Sequence, residues 1–252
     1  MTDQQSATGW FDAHVIIGEH PEQPPPTGDS LDDHLRRYGL DGALVGSLGS
    51  WLHDPLTGNA EASAVVERIG HVDVRACWTA VPPTPGELTD LPGLARAAAE
   101  RSVVAFRLYP HTHGYPITDP VWHRFFDELT GLGLPLCLNR TEVSWAEIDR
   151  IGSDHPELPM IISLVGYREL RVIATQLERH PAVHLDLVNF ASHQGVEWLV
   201  DSFGADRLLF GTGFGTRDPG ESVARLAWSD LSSADRRTVG STNARRLFGA
   251  AR

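Results

Sequence analysis

Short apolar runs alternate with amphipathic stretches along the whole chain, and this alternation restricts the fold more than any other feature. The runs at 10–17, 42–47, 72–81, 103–109, 136–140, 160–165, 183–188 and 208–212 are eight candidate strands. Most are continuously apolar, the pattern of parallel strands covered on both faces. Helical signals lie between them. Residues 31–40 follow Asp29-Ser30, an N-cap sequence, and 91–102 is rich in Ala and Leu. Residues 119–134 open on Asp-Pro, with proline at the first helical position, and 167–181 stops at a proline. Stretches 195–204 and 232–249 complete the set. Eight strands alternating with helices in about 250 residues is the rhythm of a (β/α)8 TIM barrel, an α/β fold, read here as one domain over residues 1–252. A doubly wound sheet is the rival. The Pro-rich segment 19–29 is either a lid over the catalytic face or a plain surface loop.

Composition matters through what it lacks. All 21 basic residues are arginine. A Schiff-base lysine, a P-loop lysine, a lysine general base and a carboxylated-lysine metal bridge are therefore excluded. A net charge of −12 argues against a nucleic-acid partner. No apolar run approaches the ~18 residues of a membrane span, and residues 1–10 carry no secretory pattern. Cys77 and Cys137 lie inside apolar runs without a CxxC pattern, as expected of buried, reduced thiols in a cytoplasmic protein.

In such a barrel the functional residues stand at the C-terminal strand ends. These ends supply His14; then Arg107, Tyr109, His111 and His113; then Asn139 and Arg140; then Tyr167; and finally Thr212. Arg107 interrupts an apolar strand, so it needs an internal partner (Asp12, Glu142 or Asp186) or an anionic ligand. His14 is either a proton-transfer group or simply hydrogen-bonded. His111 and His113, at i and i+2, are compatible with a metal and equally with loop shaping. No G-x-S-x-G or nucleotide fingerprint is present.

Four segments resemble the amidohydrolase-related branch of the amidohydrolase superfamily, which includes the aminocarboxymuconate-semialdehyde-decarboxylase-like proteins. FDAHVIIG looks like its opening D-x-H-x-H-x-G, and VVAFRLYP like its fourth strand. GADRLLFGTGF is similar to its eighth strand, and STNARRLFG to its C-terminal helix. The resemblance implies a barrel built around one divalent metal, usually zinc. Only the first ligand position, His14, is kept. The second falls on Ile16, the fifth-strand histidine on Asn139, the sixth-strand histidine on Leu164 and the eighth-strand aspartate on Gly213. Ile, Leu and Gly side chains cannot bind zinc, and Asn binds it poorly. The inherited site is expected to hold no metal and the chain to use no cofactor. The resemblance also implies that Asp206, Arg207, Asn243 and Arg246 are structural.

The leading expectation is a metal-independent enzyme that hydrolyses or decarboxylates a small carboxylated or carbonyl substrate. His14 would transfer the proton, Asn139 and Arg107 would act beside it, and Tyr109, His111, His113, Arg140, Tyr167 and Thr212 would bind substrate. The resembling pyrone-dicarboxylate lactonases work without metal. One alternative is a non-catalytic metabolite binder or scaffold. Another is a hydrolase with a metal relocated to His14, His111 and His113. A homodimer is common among such barrels.

Overall fold

The computed structural model describes residues 9–18, 28–83, 90–100 and 103–249. Within them eight parallel strands form one sheet in chain order. They are β1 (Trp10–Ile17), β2 (Leu40–Ser47), β3 (Asp73–Trp78), β4 (Val103–Leu108), β5 (Leu136–Asn139), β6 (Met160–Ser163), β7 (Val183–Asp186) and β8 (Leu208–Leu209). The sheet curls round until residues 210–214 meet β1. Ala13 N donates to Phe210 O at 2.8 Å, Gly213 N to His14 O at 2.9 Å and Ile16 N to Phe214 O at 2.9 Å. The barrel is thus the expected one, and every residue of β1 and of β4 to β7 is buried.

The helices are α1 (Gly28–Tyr38), α2 (Leu48–Leu52), α3 (Pro55–Arg68), α4 (Leu91–Glu100), α5 (His123–Leu132), α6 (Trp145–Asp154), α7 (Leu170–Arg179), α8 (Gly195–Phe203), α9 (Pro219–Ala227), α10 (Ser233–Arg237) and α11 (Asn243–Phe248). Local chemistry sets their ends. Asp119 caps the turn that leads into α5, and Gly133, at φ 68°, closes it. Ser144 and Glu147 form a reciprocal capping box on α6. The apolar faces pack inward, with Phe125, Phe126 and Leu129 from α5, Ile148 and Ile151 from α6, and Ile173 and Leu177 from α7.

Some boundaries differ from the sequence reading. Helix α1 starts at Gly28, so Asp29-Ser30 lies in its first turn rather than ahead of it. Helices α2, α3, α6 and α9 lie outside the stretches singled out by periodicity. Most of the Pro-rich segment, residues 19–27, lies outside the described residues.

The barrel interior is layered. Phe11, Leu44, Cys77, Ala105, Cys137, Ile161 and Leu209 form an apolar lower layer, which Leu247 and Phe248 of α11 plug. The Phe11 and Phe248 rings lie 5.7 Å apart. Burying each such side chain stabilises the fold by about 1.5–3 kcal/mol. Asn243 fastens the plug, donating from Nδ2 to Ala205 O and Leu208 O at 2.7 Å each. Arg207 donates to Leu177 O, His180 O and Val183 O at the base of β7, and Arg246 to Asp206 O. Both cysteines are buried free thiols. Above this apolar layer the interior turns polar.

Candidate active site

The polar layer begins with an irregularity in β1. Asp12 faces Ala43 and Val15 faces Val45, so β1 has one extra residue over that span. Such bulges re-aim side chains and recur beside active sites. His14 lies within this bulge, 2% exposed. Its Nδ1 is 2.8 Å from Asp186 Oδ2, at the end of β7. Asp186 also accepts from Ser163 Oγ at 2.9 Å and from Val188 N at 3.0 Å. Its carboxylate occupies space that only a glycine at 211 leaves, because a Cβ there would lie 2.3 Å from Asp186 Oδ1.

Arg107 reaches the same histidine from β4. Its Nη1 is 2.6 Å from His14 Nε2 and 3.0 Å from Nδ1, and it donates to Asn139 Oδ1 at 3.0 Å. Arg107 makes no ion pair with Asp12, Glu142 or Asp186, the internal partners expected from sequence; it meets His14 and Asn139 instead. Its buried Nε has no hydrogen-bond partner among the described residues.

Burial, and then the charge of Arg107, pull the His14 pKa below the ordinary imidazole value, against the opposing pull of Asp186. The imidazole is therefore neutral at pH 7, and the His14–Asp186 contact is a hydrogen bond rather than an ion pair. Asp186 takes the Nδ1–H, which leaves Nε2 as the acceptor facing Arg107. Burial also pushes the Tyr109 phenol upward, so it stays protonated. The Tyr109 ring stacks on Trp51, with centroids 5.2 Å apart and planes at 9°.

Thr212 and Asp12 serve barrel closure. Asp12 accepts from His14 N at 3.1 Å, Thr212 N at 2.9 Å, Thr212 Oγ1 at 2.5 Å and His34 Nε2 at 3.0 Å. One buried carboxylate thus ties β1, α1 and the segment after β8. Sequence reasoning missed His34, which stacks on Phe214 at 4.3 Å.

The remaining candidates lie elsewhere on the catalytic face. Glu142 accepts from Thr112 N at 2.9 Å, Thr112 Oγ1 at 2.7 Å and Trp51 Nε1 at 3.2 Å. His113 donates from Nε2 to Trp51 O at 3.0 Å, a loop-shaping contact. His111 is exposed. Arg140 pairs with Glu169 at 2.8 Å and lies 5.2 Å over the Trp145 ring. Tyr167 is 55% exposed, with Arg168 over its ring. The structure therefore brings together His14, Arg107 and Asn139, and adds Asp186 and Ser163. From sequence Asp186 was read as a candidate partner of Arg107; it holds His14 instead.

The residues present do not fit a divalent metal. Ile16, Leu164 and Gly213 offer no donor, and Asn139 Oδ1 already accepts from Arg107. Gly213 has φ 69°, and a Cβ there would lie 3.0 Å from Val188 Cγ1. Leu164 is also left-handed, at φ 59°. His14, buried, does not join exposed His111 and Trp51-bound His113 in a ligand set. Among the described residues no three of His, Cys, Asp and Glu converge as a metal site. The Arg107 guanidinium lies between His14 and Asn139.

Solved structures share this architecture. An uncharacterized TIM-barrel protein of Bordetella bronchiseptica superposes with a TM-score of 0.77 at 16% identity, covering 96% of this chain and 99% of its own. The 2,6-dihydroxybenzoate decarboxylase of Rhizobium gives 0.76 at 15% identity, covering 96% and 98%. A dihydroxybenzoic acid decarboxylase of Polaromonas, solved with bound manganese and the inhibitor 2-nitroresorcinol, gives 0.72 at 15%, covering 97% and 98%. At these identities the likeness establishes the shared fold. No curated protein matches the sequence. The family model described as "Amidohydrolase" matches residues 11–250, nearly the full chain, and the protein belongs to that family.

Proposed function

We propose that this protein is an enzyme of hydrolase or decarboxylase type that acts on a small carboxylated or carbonyl substrate without a metal, with His14 as its proton-transfer group. The observation that carries this reading is the buried His14–Asp186 pair meeting Arg107 and Asn139 at the C-terminal ends of the strands. The hydroxybenzoate decarboxylases of the same fold support the substrate class.

Asp186 fixes the tautomer and orientation of the imidazole and stabilises the imidazolium that forms when Nε2 takes a proton. Nε2 is then the atom that accepts a proton from substrate or water and returns it. Arg107 and Asn139 supply a charge and an amide next to that atom, suited to a carboxylate or a developing oxyanion. The metal-independent part rests on the donor set, in which four of the five inherited positions are changed and only His14 is kept.

The test is a panel of hydroxybenzoates, lactones and small carboxylic acids, assayed for carbon dioxide release or ring opening with protein dialysed against a chelator. Turnover is expected to survive chelation. His14→Ala should lower kcat by roughly 10²–10⁴-fold, the usual contribution of a positioned acid–base group. Activity that disappears with chelation, or a His14→Ala variant with unchanged kcat, overturns the reading.

One observation favours a second reading, a non-catalytic metabolite binder: Arg107 lies on His14 Nε2, the atom that would move the proton. Saturable ligand binding without turnover across the panel would select it.

A further inference from the structure

Arg107 is a buried cation, 2% exposed, and among the described residues no carboxylate approaches it within ion-pair distance; Asp186 favours its charge only through space. Its guanidinium carries five N–H donors and stays charged at any ordinary pH. Yet among the described residues Nε has no acceptor, and Nη1 serves both His14 Nε2 and Asn139 Oδ1. Taking such a charge from water is costly, and the N–H edge that the described residues leave unspent suits a carboxylate that arrives from outside.

Nη1 also fills the one acceptor of His14 that Asp186 does not control. Taking His14 as the proton-transfer group, we propose that Arg107 is a latch on it, released by a carboxylate ligand. A carboxylate bound to Nε–H and an Nη–H makes two parallel, charge-assisted bonds, stronger than a bond to a neutral ring nitrogen. The guanidinium turns to the carboxylate, Nη1 leaves Nε2, and the lone pair faces the ligand that released it. A neutral isostere supplies an acceptor but no charge, and leaves the latch closed. Selection of a carboxylate and exposure of the base become one event, and loss of the carboxylate closes the latch again.

The probes are benzoate and its neutral counterpart benzamide, added to wild-type protein carrying 15N-labelled histidine and arginine. Benzoate is expected to shift both the Arg107 Nε–H and the His14 Nε2 resonances saturably, whereas benzamide at equal concentration shifts neither. Arg107→Met should weaken benzoate binding at least about tenfold, with Arg107→Lys in between. His14→Gln should keep benzoate affinity within about threefold, because the anion is held by Arg107. Equal binding of the two probes, no benzoate binding, or full affinity in folded Arg107→Met overturns the latch. So does benzoate binding that leaves the His14 Nε2 resonance in place. The wild-type arm needs no variant to fold and no turnover. A correct benzoate response beside an unchanged kcat in His14→Ala therefore removes His14 as the proton-transfer group and leaves the carboxylate-driven release of Arg107 from His14 Nε2 standing.

Discussion

Arg107 and Arg207 are two arginines of one barrel with opposite hydrogen-bond inventories. Arg207, at the base, spends Nε, Nη1 and Nη2 on the carbonyls of Val183, Leu177 and His180. Arg107, in the polar layer, uses Nη1 for two acceptors and leaves Nε bare. Burial lowers the pKa of Arg207, and no ligand is needed to explain its place. The difference teaches that removal from water, partial for Arg207 and nearly complete for Arg107, does not by itself separate a structural arginine from a functional one. The count of unspent donors does, because a stabilising residue is one whose partners are already inside the fold.

The largest effect that sharpens this contrast should come from Arg207→Met. It strands three backbone carbonyls and should cost about 3 kcal/mol in urea unfolding. A loss below about 1 kcal/mol would break the comparison from the structural side. Acid should reveal the same region next. His184, buried beside Arg207 and Arg246, has its pKa lowered from 6.5 to about 4, first by burial and then by those charges. The unfolded chain takes up this proton before the folded one, so stability is full above about pH 6.5 and falls as pH drops towards 4. The loss reaches about 3 kcal/mol. His184→Gln should flatten that limb of a stability-against-pH curve, and an unchanged limb would rule the residue out as its source. Gly213→Asp should cost about 1–2 kcal/mol, from a left-handed backbone and the tight Val188 contact, with no gain of zinc or manganese by elemental analysis. The smallest change should be Arg107→Met. Removing a buried charge that no ion pair among the described residues holds offsets the bonds it gives up, so stability should move by less than about 1 kcal/mol. A loss as large as that of Arg207→Met would mean that Arg107 is structural after all.

The sequence made the barrel legible because parallel strands buried on both faces read as plain apolar runs, and β1, β4 and β5 fall where such runs lie. Shorter or polar helices were harder to see. Yet Asp54-Pro55 ahead of α3 and the Ser144/Glu147 pair of α6 are readable start signals. His14, Arg107 and Asn139 were found as polar residues interrupting strands. Their mutual contacts were not, since β1, β4 and β5 are brought together only by closure and the β1 bulge. Arg140 shows the reverse problem. A strand-end arginine looks like an anion receptor until Glu169, 29 residues on, is seen to hold it. No periodicity encodes that pairing. Residues 19–27 fall outside the described residues, so the choice between lid and loop still rests on sequence.

The turn at Gly213 also bears on the history open to this chain. Two of the four glycine codons are one base change from an aspartate codon, so a carboxylate at 213 is open to a single mutation. Here the backbone has followed the side chain. Gly213 is left-handed, and its carbonyl accepts from Thr216 N at 3.0 Å and Arg217 N at 2.9 Å. An aspartate arriving at 213 would meet that turn, and would still find Ile16 and Leu164 across the barrel. The gain of a ligand sphere therefore behaves as a ratchet: Gly213→Asp strains the turn while Ile16 and Leu164 still offer no donor.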